Sequence, residues 1–279
     1  MTTLTLKVQP AAPLEADSIT PDHFVGKTTA EIAGLSVIAG NESARLGDFF
    51  VVTDDGADEI IVEGDLSRVK HIGAGMSQGR IIVHGDVGMH LGAGMGGGEI
   101  VVQGNAGDWA GAEMTGGLIR IKGNAGHGLG GAYRGGRRGM NRGLIIVEGN
   151  AGNEVGATMR RGLIVVLGDV GDFAGAFTIA GSIIVFGRLG ARPGAGIKRG
   201  TIVTLQMQPL GSPRGNPPEL LPTFRYDCVY QPGFLRLVFQ NLRAHGVTVK
   251  DEHLAGYYRR YSGDLNALGK GEILVYDQR

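Results

Sequence analysis

His71 and His90 stand nineteen residues apart, and Asp108 and His127 repeat that spacing one position out of phase. Imidazoles stacked beside a carboxylate are a setting for transition-metal binding. The column holding His71 and His90 continues, however, with Trp109, Gly128, Glu154, Phe173 and Arg192. That is the composition of a corner surface and not of a ligand set, so His71 and His90 are weak metal candidates and no metal site is expected. The arginines promise more. Tyr133 to Arg142 holds Arg134, Arg137, Arg138 and Arg142; Arg160 and Arg161 follow, and Lys198 and Arg199 after them. Guanidinium forks suit carboxylates and phosphates. The six arginines from Arg134 to Arg161 are the candidate contact with an anionic cofactor or partner, a solvated basic ridge being the alternative. No Ser-His-Asp order, P-loop, CxxC or HExxH occurs, so no catalytic residue is expected. Glycine strings such as Gly92-Ala-Gly-Met-Gly-Gly-Gly resemble phosphate loops, but they recur without a following helix and read as corners.

What must position these residues is a repeat. Gly79, Gly98 and Gly117 open three units; after a seven-residue insertion, Gly143, Gly162, Gly181 and Gly200 resume the same spacing. Each unit reads roughly Gly-x-Ile-x-Val-x-Gly-Asn/Asp-x-Gly-x-x-x-Gly-Ala. A short fixed period implies a stacked fold in which each unit contacts its neighbours. The expected fold is all-β, a parallel right-handed β-helix of about seven coils with small α/β extensions at both ends. Ile81, Ile100, Ile119, Ile145, Ile164 and Ile183 should form one inward column. Val83, Val102, Ile121, Val147, Val166 and Val185 should form a second. The glycines and the Asn/Asp series Asp65, Asp86, Asn105, Asn124, Asn150 and Asp169 should take the positive φ of the corners.

The chain has 279 residues and 51 glycines, well over twice the average share of about 7%. Net charge is zero, which gives no indication of nucleic-acid or membrane affinity. The single cysteine, Cys228, cannot form an internal disulfide or hold an iron–sulfur cluster. With no signal-peptide pattern and no apolar run of about 20 residues, a cytoplasmic location is expected. Three regions are expected: a non-repetitive N-terminal part (1–57), the repeats (58–205), and a linker with a C-terminal extension (206–279). Thr2 to Val8 reads as an edge strand, and Thr28 with Glu31 as a capping box. In the extension, Pro209 to Pro222 reads as a linker and Gly233 to Ala244 as a helix, with Phe234, Leu237, Val238 and Leu242 on one side. A short helix at about Asp251 to Arg260 and a strand at Ile273 to Tyr276 complete it.

The outward strand column is unusually apolar: Ile82, Val101, Arg120, Ile146, Val165 and Ile184, flanked later by Leu144, Leu163, Leu167 and Phe186. Such a face must be covered. Ile146, Val165, Leu167, Ile184 and Phe186 are therefore candidates for docking either the folded-back tail or another subunit.

The runs Val69-Lys-His-Ile-Gly-Ala-Gly-Met76, Gly85-Asp-Val-Gly-Met-His-Leu-Gly-Ala-Gly-Met95 and Gly104-Asn-Ala-Gly-Asp-Trp-Ala-Gly-Ala-Glu-Met114 resemble the C subunit of formylmethanofuran dehydrogenase. They are more similar still to the C subunit of the bacterial formyltransferase/hydrolase complex of methylotrophs. Gly139-Met-Asn-Arg-Gly-Leu-Ile-Ile-Val and Tyr257-Tyr-Arg-Arg-Tyr-Ser-Gly-Asp264 extend the resemblance into the tail. It implies a non-catalytic scaffold subunit in a hetero-oligomer with formyltransferase (D), hydrolase (A) and B subunits. That complex carries the formyl group of formyl-tetrahydromethanopterin to methylofuran and releases formate. Methylofuran and a metal are then expected in the partner subunits and no cofactor on this chain alone, with neither nucleic acid nor membrane as a partner. The archaeal redox complex, with a molybdenum or tungsten pterin subunit, is the alternative; the arginine-rich composition favours the bacterial one. A scaffold similar to the C-terminal domain of the glutamate synthase large subunit is a further alternative. A β-helical polysaccharide enzyme would want a secretion signal and clustered outward acids, which are not seen.

Overall fold

The computed structural model describes residues 1–206 and 220–277. The stretch read as a linker, Pro209 to Pro222, lies outside the described residues except for 220–222. The N-terminal part forms β1 (Thr2–Leu6), β2 (Leu14–Glu15), α1 (Pro21–Phe24), α2 (Thr29–Ala33), β3 (Ser36–Ala39), β4 (Glu42–Arg45), α3 (Leu46–Phe49) and β5 (Phe50–Thr53). The repeats supply β6 (Glu59–Glu63), the short β7 (Val69–Lys70), β8 (Arg80–His84), β9 (Glu99–Val102), β10 (Leu118–Ile121), β11 (Leu144–Val147), β12 (Leu163–Val166), β13 (Ser182–Val185) and β14 (Thr201–Thr204). The tail adds β15 (Arg225–Tyr230), α4 (Gly233–Ala244), α5 (Asp251–Leu254), β16 (Tyr257–Gly263) and β17 (Gly271–Asp277).

These strands make one 13-stranded sheet in the order β15-β16-β17-β14-β13-β12-β11-β10-β9-β8-β6-β1-β5, and a 4-stranded sheet β4-β3-β2-β7. Pairing is parallel from β1 through to β17, and β5, β16 and β15 close the ends antiparallel. This corrects the expected parallel right-handed β-helix with small α/β extensions at both ends. Each repeat gives the large sheet one short strand. Its return path is stitched mainly by single-residue parallel bridges, Leu66↔Val87↔Ala106↔Ala125↔Ala151↔Val170↔Leu189. The physical reason lies in the glycine content: the return path reverses at several left-handed residues per repeat and cannot sustain a ladder. The terminal strands extend the same large sheet, so β1, read as an edge strand, is sandwiched between β6 and β5.

Both aliphatic columns are buried in register. Ile60, Ile81, Ile100, Ile119, Ile145, Ile164, Ile183 and Ile202 are at most 1% exposed, and Ile273 of β17 adds one more isoleucine rung. Each buried Ile contributes roughly 1.5–3 kcal/mol. Facing them, the return path places Met76, Met95, Met114, Met140 and Met159, all fully buried. The two walls are so close that a Cβ on Gly92 (φ +60°) would lie 2.7 Å from Ile119 Cδ1, and one on Gly111 (φ +63°) 2.5 Å from Ile145 Cδ1. Glycine is therefore fixed there by space as well as by φ.

The Asn/Asp series plays another part than expected: none of it has positive φ. From Asp86 to Asp169 each side chain instead accepts from the backbone of the next rung, whereas Asp65 accepts from the nearby Ser67 N–H (3.1 Å). The N–H of Asn105 donates to Asp86 Oδ1 (2.7 Å), Asn124 to Asn105 (2.8 Å), Asn150 to Asn124 (2.8 Å) and Asp169 to Asn150 (2.7 Å). Besides glycines, the positive φ in the repeats falls instead on His71, His90, Trp109, Glu154, Phe173 and Arg192, the column that begins with the two imidazoles, and on Glu113, Thr158 and Phe177 four residues further along the coil.

Candidate partner and anion surfaces

The apolar outer face is covered by the tail. Ile146, Val165 and Ile184 are fully buried in a second core with Val203, Leu235, Phe239, Leu242, Tyr258 and Leu274. A partner cannot reach those three positions while the tail is in place. Leu167 and Phe186 are only partly buried at its border, where they line a cavity of about 560 Å³ with Asp169, Lys250, Glu252 and His253. The helix that does the covering spans the expected Gly233–Ala244 and meets a capping glycine, Gly246, at φ +75°. Its buried stripe is Leu235, Phe239 and Leu242 with Val238 alongside. Phe234 and Leu237, read from sequence as part of that stripe, are 41% and 70% exposed. The second helix is also shorter than expected, because Tyr257 to Arg260 belong to β16.

Arg120 marks where the cover ends. Its Nε lies 2.7 Å from Glu148 Oε1, and its Nη1 donates to the His245 carbonyl at 2.5 Å. A cation thus meets the unsatisfied carbonyl end of α4, which also favours positive charge. This explains the one charged residue in an aliphatic column.

The insertion sits on a stack of rings. Left-handed turns at His71 (φ 63°), His90 (66°) and Trp109 (57°) send three side chains out in parallel. The His71 and His90 rings stack at 4.6 Å and 14°, and His90 and Trp109 at 5.6 Å and 16°. Gly128 on the next rung leaves the space the indole fills, since a Cβ there would lie 2.8 Å from Trp109 Cδ1. Tyr133 brings its hydroxyl to 3.1 Å from His90 Nδ1, while its N–H donates to Glu113 Oε1 at 3.3 Å. Burial, then the neighbouring His71 charge, lowers the His90 pKa to about 4, and burial lowers that of His71. A neutral His90 with Nδ1 free is the acceptor a phenol donor needs. Burial and Glu113 raise the Tyr133 pKa, which keeps the phenol protonated.

His90 Nδ1 is engaged by the Tyr133 hydroxyl. Among the described residues no group of three or more His, Cys, Asp or Glu side chains could hold a metal ion. Asp108 and His127 belong to a second rung-to-rung series: Asp108 Oδ1 accepts from the His127 N–H (2.7 Å), and His127 Nδ1 from the Asn153 N–H (2.8 Å).

Arg134, Arg137, Arg138, Arg142 and Arg161 are exposed, and Arg160 is half-buried. None of the six makes an ion pair among the described residues, whereas Arg80, Arg188, Arg243, Arg259 and Arg260 all do. The first three ride on the insertion that Tyr133 anchors. Gly136 and Gly139 close that loop, their N–H groups donating to the carbonyls of Tyr133 (2.8 Å) and Thr158 (3.1 Å). No helix among the described residues is long and apolar enough to cross a membrane.

No family model matches the chain. It is similar to the C subunit of the tungsten-containing formylmethanofuran dehydrogenase 2 of Methanothermobacter wolfeii, at 47% identity over 91 residues, 31% of this chain and 34% of the relative. It is 40% identical over 88 residues to the C subunit of the formyltransferase/hydrolase complex Fhc of Methylorubrum extorquens, 32% of this chain and 33% of that one. The matched segments thus span about a third of these curated relatives. The structural match is longer. A chain in the crystal structure of the formyltransferase/hydrolase complex FhcABCD from Methylorubrum extorquens, solved with methylofuran, superposes with a TM-score of 0.89 at 38% identity. The superposition covers 99% of this chain and 100% of that one. The chain therefore belongs to the family formed by the C subunits of formyltransferase/hydrolase complexes and formylmethanofuran dehydrogenases.

Proposed function

We propose that this chain is the non-catalytic scaffold subunit of a formyltransferase/hydrolase complex that converts formyl-tetrahydromethanopterin to formate by way of formyl-methylofuran. Transfer and hydrolysis belong to partner subunits, which hold methylofuran and the hydrolytic metal. The observation that carries this reading is the end-to-end superposition on a chain of a complex solved with methylofuran. The continuous 13-stranded sheet agrees with a scaffold. The archaeal redox complex is the second reading, favoured by local identities of 46% and 51% to the C subunits of tungsten and molybdenum enzymes. The test is native purification from the source cells with identification of co-eluting chains. Formyltransferase and hydrolase subunits without a molybdopterin subunit are expected; a molybdopterin or iron–sulfur partner, or elution alone, overturns the proposal.

Within that complex, the arginines on the insertion and the next rung (Arg134, Arg137, Arg138, Arg142, Arg160 and Arg161) are the anion contact, reaching an acidic cofactor tail or partner surface. Their exposure and lack of internal ion pairs among the described residues support this. The border residues Leu167 and Phe186 are the accessible part of the candidate docking set.

A further inference from the structure

Strand register carries the corner before each strand into a row. Leu144, Leu163, Ser182 and Thr201 are successive partners, and Thr201 pairs with Glu272 of the tail. Two residues before each stand Arg142, Arg161, Ala180, Arg199 and Lys270. The Glu272 N–H donates to the Gly200 carbonyl at 2.9 Å, so the register holds up to this row. The tail therefore lengthens a cationic edge that the repeats begin, at rungs about 4.8 Å apart.

The row ends in a cavity of about 410 Å³ whose walls include Ser182, Arg199, Phe234, Arg260, Lys270 and Glu272. Its charges are unequally satisfied. Arg260 Nε lies 2.9 Å from Glu272 Oε2, and its Nη1 3.4 Å from Asp227. The other Glu272 oxygen accepts from the Thr201 hydroxyl at 2.8 Å. Arg199 and Lys270 are exposed and have no ion pair among the described residues. Beside them Phe234 of α4 turns an apolar ring outward instead of joining the buried stripe. Two cations with no ion pair among the described residues, Ser182 and an aromatic wall line one space.

We propose that this cavity binds a short acidic–apolar peptide segment of a partner subunit: a carboxylate between Arg199 and Lys270, with the neighbouring aliphatic or aromatic side chain against Phe234. A peptide carboxylate carries a single charge and tolerates the Glu272 carboxylate close by, which a multiply charged phosphate would not. The proposal uses none of the insertion arginines and stands or falls apart from their role.

The test is titration of the full-length chain with a fluorescently labelled, blocked peptide containing Asp-Phe, followed by anisotropy. The Asn-Phe peptide and inorganic phosphate serve as competitors. Saturable binding is expected. It should weaken at least about five-fold in the double variant Arg199→Ala, Lys270→Ala, the scale of exposed charge pairs. It should also weaken in Phe234→Ala and stay unchanged in Arg137→Ala, Arg138→Ala. All these positions are exposed, and an unaltered melting temperature certifies the fold. Equal binding by the double variant, equal competition by the Asn-Phe peptide or by phosphate, or no saturable binding overturns the proposal.

Discussion

The two sides of the later repeats make a useful contrast. On the strand face, Ile146, Val165 and Ile184 are sealed under α4 by Leu235, Phe239 and Leu242. On the corner side, Arg137, Arg138 and Arg161 lie open with no ion pair among the described residues. Both sets look like docking surfaces in the sequence, because both are exceptions to what a solvated repeat should show. The apolar exception is met from within the chain, since water excludes aliphatic area wherever a covering element is in reach. The cationic exception is left open, since exposed charge costs little in water; under the proposed function it would gain its partner on assembly.

Substitutions can test that division. Phe239→Ala should have the largest effect, destabilising the chain by about 3–5 kcal/mol in a denaturant melt, because it empties the centre of a dry interface. A loss under about 1 kcal/mol would mean the tail adds little to the fold. Acidification comes next. The folded His90 titrates at about 4, below the ordinary value of about 6.5. Between those values the unfolded chain binds the extra proton, so the stabilisation present above about pH 6.5 is lost as pH falls through about 4. In His90→Asn, which tolerates the left-handed turn, the loss of stability over that window should be shallower than in the wild type; an identical slope would deny His90 that role. Arg137→Ala with Arg138→Ala should matter least to folding, within about 0.5 kcal/mol. If these arginines touch the cofactor, the double change raises its Michaelis constant in the assembled complex or loosens co-purification. No change in either would leave them as solvated surface.

The rungs are plain in the sequence because Gly-x-Ile-x-Val marks each one, and the buried Ile and Val ranks lie where that pattern puts them. The same signal stands once more in Gly271-Glu-Ile-Leu-Val, through which the tail joins the sheet beside Thr201–Thr204. The sheet arrangement is harder to read, because periodicity reports stacking and says nothing of how many ladders a turn-rich return path can hold. The positive-φ column is hidden, since Trp, Glu, Phe and Arg are unusual in left-handed turns, which cost about 1–2 kcal/mol per residue; at His71, His90 and Trp109 the turns bring the rings into a stack. For α4, Phe234, Leu237, Val238 and Leu242 offer one plausible stripe and Leu235, Val238, Phe239 and Leu242 another; only the partner surface decides between them. The arginines are legible as a cluster, but Lys270 enters the row through a register that joins residues far apart in the chain.

The insertion lengthens one step of the repeat, yet Leu118 still pairs with Leu144 and Ile121 with Val147 as if nothing had been added. The extra residues leave and rejoin at a corner, so the growth direction of the sheet never feels them. That corner is a natural splice point: a different loop, an affinity tag or a small domain grafted between Tyr133 and Gly139 would be displayed at a fixed height above an undisturbed wall.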